Sequence, residues 1–187
     1  MPPSKVLMVL FFATVIPVSG CAQKPDLQQH VDKYEYLYDQ KEFYEAIAEA
    51  ESALEIFENS YGKNHPFVAR VLTDLGVYYY ELTNMGENGT HREKAEYYSK
   101  RAVGIYKKNF GPFHHDLVQC YMTLAQIYLD RNYYSTSERF IQLARKIIEK
   151  SYEKSDLTYF TANYIYYALL SETERFEKAR DVLLTMT

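Results

Sequence analysis

The strongest constraint on this chain is that it repeats itself. The stretch from Ala53 to Val68 (ALEIFENSYGKNHPFV) returns as Ala102 to Val118 (AVGIYKKNFGPFHHDLV). Eight residues beyond each alanine stands an aromatic, Tyr61 or Phe110. Nine beyond stands a glycine, Gly62 or Gly111, and twelve beyond a histidine, His65 or His114. A third copy begins at Ala144, with Tyr152 and Asp156 at the eighth and twelfth places. The copies start 49 and 42 residues apart, so the period is 42 with one seven-residue insertion. The loop-like run from Asn84 to Thr90 supplies that insertion. Self-similarity at such a period requires a stack of like units, none of which can bury its apolar side without a neighbour.

Other columns keep the same register. A small residue recurs at Ala46, Ala95, Ser137 and Ala179, with an aromatic three places earlier at Phe43, Tyr134 and Phe176. Leu72, Leu75, Gly76 and Tyr79 align with Tyr121, Leu124, Ala125 and Tyr128, and a further shift of 42 reaches Asn163, Tyr166, Tyr167 and Leu170. Apolar spacing of i, i+3, i+4 and i+7 makes each copy two amphipathic helices. Only 7 Gly and 6 Pro in 187 residues argue against a turn-rich β fold. The expected architecture is all-α, a solenoid of three to four helix pairs over residues 27–187. Its copies span about 27–66, 67–115, 116–157 and 158–187. The small column belongs where the two helices of a pair cross, because a larger side chain would force them apart. Ala46, Ala53, Ala95, Ala102, Ala144 and Ala179 are such packing positions, faced by Gly76 and Ala125.

These columns resemble the tetratricopeptide repeat (TPR). Its run of a bulky residue, Leu-Gly, an aromatic, and then two alanines is present in Leu72, Leu75-Gly76, Tyr79, Ala95 and Ala102. The 42-residue spacing and the loop Gly62-Lys63-Asn64-His65-Pro66 are similar to the longer repeats of kinesin light chains and many bacterial proteins. The resemblance implies a right-handed superhelix in which the first helix of each pair lines a concave groove for an extended peptide or a partner helix. Carried over position by position, it implies groove residues Val31, Glu35, Tyr38 and Asp39 in copy 1, and Arg70, Thr73, Val77, Tyr80 and Glu81 in copy 2. Copy 3 contributes Gln119, Met122, Gln126, Leu129 and Asp130; copy 4 contributes Thr161, Tyr164, Ala168, Ser171 and Glu172.

One column is not required by that family pattern: Asp39, Glu81, Asp130 and Glu172 stand at the same place in all four copies. An acid in the last turn of a helix opposes the helix dipole by about 0.3–1 kcal/mol. Two readings stand. Each acid precedes the second helix closely enough to cap it, or the four form an acidic stripe that attracts Lys or Arg of a partner. The 20 tyrosines, many in runs such as Tyr78-Tyr79-Tyr80, also carry two readings, core packing and interface anchoring. A helix face cannot bury three consecutive residues, so some of these hydroxyls are expected at solvent or in the groove, Tyr38, Tyr80 and Tyr164 among them.

Catalysis finds no motif. There is no nucleophile signature, phosphate-binding glycine loop or Cys-x-x-Cys pair, so the chain reads as a non-enzyme without cofactor or metal. His65 and the His114-His115-Asp116 run sit at equivalent loop positions about one repeat apart, and in this repeat class the His-Pro loop is a structural turn. A formal charge of −4 argues against a nucleic-acid surface.

The N-terminus reads as an address. Lys5 precedes an uncharged run from Val6 to Val18, too short to span a bilayer but suited to a signal peptide. Val18-Ser19-Gly20-Cys21 then resembles the lipobox of bacterial lipoproteins, which implies removal of residues 1–20, lipidation of Cys21 and a tether over residues 21–26. Two or three acyl chains anchor a protein stably. Ala22 after the cysteine implies the outer membrane, facing the periplasm, in a Gram-negative host. The expected function is therefore a lipid-anchored adaptor for protein–protein interaction at a bacterial envelope membrane, its partner a protein or peptide with basic character. The alternative is an assembly role like that of the pilotin lipoproteins; an enzyme accessory or cofactor binder ranks below it. Val182, Leu183 and Met186 on an uncapped last helix point to a homodimer or a bound partner there.

Overall fold

A computed structural model describes residues 27–86, 90–151 and 156–186. The lipobox reading at Cys21, and Tyr152 of the third copy, lie outside them. Among the described residues eight helices follow one another: α1 Leu27–Asp39, α2 Phe43–Tyr61, α3 Pro66–Asn84, α4 His91–Phe110, α5 Leu117–Asp130, α6 Tyr134–Ser151, α7 Leu157–Glu172 and α8 Phe176–Thr185. No strand occurs among the described residues. Each helix packs on the next in sequence. The odd helices also touch one another, α1 on α3, α3 on α5 and α5 on α7, whereas no two even helices do. The stack is therefore closed along its odd helices and splayed along its even ones, which places a concave face on α1, α3, α5 and α7.

Small residues permit the pairing. Ala46, Ala53, Gly76, Ala95, Ala102, Ala125, Ala144 and Ala179 are all buried. A Cβ added to Gly76 would overlap Ser99 Oγ and just touch the backbone at Ser99 and Ala95, so α3 and α4 cross closely here and a larger residue would displace Ser99. In the next pair Ser137 takes the small position, and its hydroxyl donates to the Ala125 carbonyl at 2.7 Å. Large side chains such as Tyr34, Phe57, Leu72, Leu75, Tyr121, Ile127, Ile141 and Ile148 fill the layers between. One core runs from Val31 to Leu169, and a smaller one of Leu170, Ala179 and Val182 closes the last pair.

The tyrosine run departs from expectation. Tyr78, Tyr79 and Tyr80 are all buried, with 4%, 4% and 6% exposure. The one-face limit does not apply because α3 is enclosed by α1, α2, α4 and α5. Tyr78 stacks on Tyr38 of α1 with ring centroids 4.3 Å apart. Tyr79 donates to Glu51 of α2 at 2.7 Å and receives Lys94 of α4 at 2.8 Å. Tyr80 hydrogen-bonds Asp130 at the end of α5. Three successive side chains thus serve three different neighbours.

The connections repeat as well. Between odd and even helices, Lys41, Asn132 and Glu174 each adopt positive φ, at 63°, 59° and 57°. Around them the same two bonds recur: Glu42 N–H to Leu37 O, Tyr133 N–H to Tyr128 O and Arg175 N–H to Leu170 O, with a shorter bond nested inside each. This is a Schellman stop in which a non-glycine residue occupies the left-handed position. Between even and odd helices, the column of His65, His114 and Asp156 has one job. His65 Nδ1 accepts from Phe67 N–H at 3.2 Å, His114 Nδ1 from Asp116 N–H at 3.4 Å, and Asp156 Oδ1 from Thr158 N–H at 2.7 Å. Each satisfies a donor at a helix start that the helix itself leaves open. Gly62 and Gly111, at φ 87° and 88°, stop the preceding helices.

Polar clamps tie one repeat to the next. Glu96 of α4 accepts from Lys100 at 2.5 Å and from Tyr128 of α5 at 2.6 Å, and pairs with Arg131 beyond α5. Burial opposes its charge, yet these donors together hold its carboxyl down at about 2. Glu138 of α6 repeats the arrangement with Arg175 at 2.9 Å. The left-handed turns generate a prediction. An L-residue there costs roughly 1–2 kcal/mol that glycine does not, so Lys41→Gly is expected to raise unfolding stability by up to about 1 kcal/mol in urea titration.

Candidate functional site

The concave face is built by the residues of α1, α3, α5 and α7 that the even helices do not cover. Its two edges differ because all four helices run in the same sense along the stack: their N-terminal ends meet at one edge, their C-terminal ends at the other. The C-terminal edge carries Asp39, Asp130 and Glu172, each the last residue of its helix, with Glu81 one turn short of the end of α3. Asp39, Asp130 and Glu172 are exposed and Glu81 is half-buried. None of them caps an even helix. Those N-cap positions are Glu42, Thr90 and Arg175 for α2, α4 and α8, all without a side-chain cap bond. The capping reading is thereby corrected: tight Schellman turns carry the chain past Asp39, Asp130 and Glu172 before the next helix starts, and Glu81 lies within α3, three residues before its end. The acids are left adding to the negative pole of the helix dipole.

The structure divides the other groove candidates. Thr73, Tyr80, Met122 and Val31 are buried and are not presented to a partner. Thr73 donates to the Ala69 carbonyl and touches Cys120 Sγ at 3.2 Å, so it belongs to the α3–α5 contact. Met122 lies in the same layer. Cys120, the one cysteine among the described residues, is buried, and burial pushes its thiol up to about 12, which leaves it unreactive. Val77, Gln126, Leu129, Ala168 and Ser171 are half-buried; Gln119, Thr161 and Tyr164 are exposed, Tyr164 by 62%. Tyr38 is half-buried, stacked on Tyr78 and edge-on to Phe43. Burial, with Glu81 and Asp39 nearby, pushes its hydroxyl up to about 12.

The N-terminal edge holds a network that periodicity alone does not reveal. Tyr34 Oη of α1 donates to Asp74 Oδ2 of α3 at 2.8 Å, and Arg70 Nε lies 3.4 Å from the same oxygen. A terminal nitrogen of Arg70 reaches back to Glu35 of α1 at 2.6 Å. The ion pairs and the tyrosine cross-link α1 to α3. Beside them a cavity of about 280 Å³ opens between α3, the start of α5 and the start of α7. Burial raises the Asp74 carboxyl to about 6, although Arg70 and Tyr34 both act to lower it. Asp74 was not among the groove positions carried over by resemblance. The only sequence signal for it is an acid one turn beyond Arg70, which reads equally as an i, i+4 surface pair.

His114, His115 and Asp116 are the one group among the described residues whose ligand atoms gather within 4.8 Å as a metal site requires. His114 Nδ1 is engaged by the Asp116 backbone N–H, the same task that His65 performs for Phe67. That shared task makes the pair of loops turn chemistry. No helix among the described residues is long and apolar enough to cross a membrane.

Comparison with known proteins adds the following. Residues 35–87 match the tetratricopeptide repeat family model. No curated protein sequence matches the chain. Among solved structures, it is similar to the nearly identical TPR-like repeats of a kinesin light chain from Podosopora anserina, with TM-score 0.70 and 13% identity over 86% of this chain and 72% of that one. It is also similar to BtubC (BKLC) from P. vanneervenii, with TM-score 0.64 and 19% identity over 88% of this chain and 67% of that one. At these identities the likeness is one of fold.

The raised Asp74 carboxyl gives a testable sign. Between about pH 4 and pH 6 the folded chain holds this proton more tightly than the unfolded chain, so the cost of ionising Asp74 enters as pH rises through that window. Asp74→Asn is therefore expected to gain stability relative to the parent as pH moves from 4 to 7, read by urea unfolding at each pH.

Proposed function

We propose that this chain, whose residues 35–87 match the tetratricopeptide repeat family model, is a non-catalytic adaptor, lipid-anchored at a bacterial envelope membrane, whose concave face binds a protein partner with basic residues. The observation that carries the binding half is the acidic C-terminal edge. Asp39 and Glu172 form no salt bridge among the described residues. Several acids of the even helices, by contrast, are engaged: Glu51 with Lys94, Glu58 with Arg101, Glu96 with Arg131 and Glu138 with Arg175. The four acids are set in register against their helix dipoles, and of them Asp130 also accepts from the buried Tyr80 hydroxyl. A partner carrying Lys or Arg turns that opposition into attraction and steers its own approach along the stripe. Tyr164 and the edge of Tyr38 supply aromatic surface on the same face.

The anchoring half rests on Val18-Ser19-Gly20-Cys21 following an uncharged run of signal-peptide length. A tether of a few residues would hold the solenoid close to the membrane, so the adaptor would gather its partner at that surface by raising local concentration. An assembly role of the pilotin kind uses the same anchor and groove, and differs in having a single client that is mislocalised when the adaptor is missing.

Two outcomes check this reading. Replacing Glu81 by Gln and Asp130 by Asn together is expected to weaken capture of the envelope partner severalfold at low salt and to flatten the dependence of its affinity on ionic strength; an unchanged salt slope ends the electrostatic account. Cys21→Ser is expected to move the protein from the membrane to the soluble fraction of a bacterial host, with the intact mass of the parent showing the acyl chains that the variant lacks.

A further inference from the structure

We propose that the end of the stack formed by the last turns of α4 and α6 docks on an anionic phospholipid surface, which turns the acidic edge outward. The inference deepens the anchoring reading above and rests on it.

Charge is sorted between the two sets of helices. In a chain of formal charge −4, α4 and α6 together hold ten Lys and Arg against four Asp and Glu. The helices α1, α3, α5 and α7 hold two against seven. Part of the basic excess is consumed inside the fold, where Lys94, Lys100 and Arg101 face Glu51, Glu96 and Glu58. What remains gathers at one end. Lys107 and Lys108 lie in the last turn of α4, Lys146 and Lys150 in the last two turns of α6, and all four are exposed. None of the four enters a salt bridge among the described residues. Phe113, in the loop after α4, joins the two helices, with the Lys146 and Lys150 ammoniums 4.6 and 6.0 Å from its ring centre. The acids described at these two helix ends are Glu149, Asp116 and Asp156. Asp116 lies beside His114 and His115 at 3.5 and 3.1 Å, and Asp156 accepts from the Thr158 N–H. Apolar surface stands among the lysines: Phe110 and Phe113 are 44% and 47% exposed, and Leu157 at the start of α7 is 79% exposed. At a membrane interface such ammoniums reach lipid phosphates while their stems and the apolar side chains enter the acyl boundary.

The place where the chain enters α1 favours a lipid surface over an acidic protein. The helix α1 begins at this same end. His30, in its first turn, meets Phe57 of α2 edge-on at 5.8 Å, and Phe57 continues through Tyr61 to Phe67 at the start of α3. Cys21 precedes Leu27 by six residues, a reach of at most about 20 Å. The acidic edge lies a helix length away, roughly 28 Å for the 19 residues of α3. A lipidated Cys21 therefore holds the lysine end nearer the bilayer than the acidic one. Anionic headgroups attract the lysines in that orientation and repel the carboxylates in the reverse one, so both charges turn the molecule the same way. The concave face is then left open to its partner.

The test uses the full chain, which contains no tryptophan, so that a single introduced tryptophan reports position. Phe113→Trp marks the lysine end, and Tyr133→Trp, at a residue 60% exposed just beyond Asp130, marks the acidic edge. Lipidated protein is placed on vesicles of phosphatidylcholine with brominated phosphatidylglycerol, and on vesicles of brominated phosphatidylcholine alone. The acyl chains hold it on both, so quenching reads orientation. On the anionic vesicles the Phe113→Trp variant is expected to be quenched at least about threefold more than the Tyr133→Trp variant. That difference should vanish on the neutral vesicles and when Lys107, Lys108, Lys146 and Lys150 are all replaced by Glu. Should the fourfold variant fail to fold, high salt removes the same attraction from the Phe113→Trp variant. Equal quenching of the two reporters, or the same difference on neutral vesicles, would overturn the assignment. So would binding of soluble polyglutamate at the lysines with neither reporter quenched, which would make the patch a site for an acidic protein. Intact mass reports separately whether Cys21 carries acyl chains. A chain without them ends the anchoring reading, and its quenching on the anionic vesicles still reads the patch.

Discussion

Everything in this molecule depends on how closely two helices of a pair can approach. At Gly76 the answer is set by the Ser99 hydroxyl, which a Cβ there would displace. At Ala125 it is set by the hydroxyl of Ser137, which bonds the carbonyl it presses against. With that spacing held small, each pair is thin enough for the next to bury its apolar side, and the large residues between layers become one continuous core. Widening a single crossing would tilt every later pair, because in a solenoid errors of angle add along the stack.

The stack is not held by apolar contact alone. Polar devices recur with the period, each tied to a defect that helices leave at their ends. Histidine or aspartate satisfies open N–H groups at the starts of the odd helices, and a left-handed residue closes the carbonyl ends before the even ones. Between repeats, Glu51, Glu96 and Glu138 receive donors from the following repeat. Because these bonds are directional, they define the rotation from one repeat to the next in a way that apolar packing does not.

The same geometry produces the chemistry of the concave face. Bringing the C-terminal ends of α1, α3, α5 and α7 to one edge aligns their dipoles, and the acids there reinforce the negative pole. At the other edge, the approach of α1 to α3 brings Tyr34 onto Asp74 beside a cavity that Asp74 helps to line. The two edges of one groove therefore differ in chemistry: acids in register at one, and at the other a carboxylate already paired with Tyr34 and Arg70.

Periodicity made much of this legible in advance. The eight helices, the small residues at the crossings, the insertion before α4 and the acidic column all follow from the order of residue types, because amphipathic spacing and close crossing are local demands that a chain must write into each copy. The family resemblance then supplied the concave face. Tertiary structure alone decided which groove positions remain open. Thr73, Tyr80 and Met122 share the register of exposed neighbours, yet α3 and α5 close over them, since burial depends on what approaches from other parts of the chain. The left-handed turns at Lys41, Asn132 and Glu174 carry no glycine to announce them. Asp74 is likewise an ordinary acid in the sequence, and joins a network only where a tyrosine forty residues earlier folds onto it. A repeating pattern specifies what every copy has in common; the contacts between copies, which no single copy contains, specify the rest.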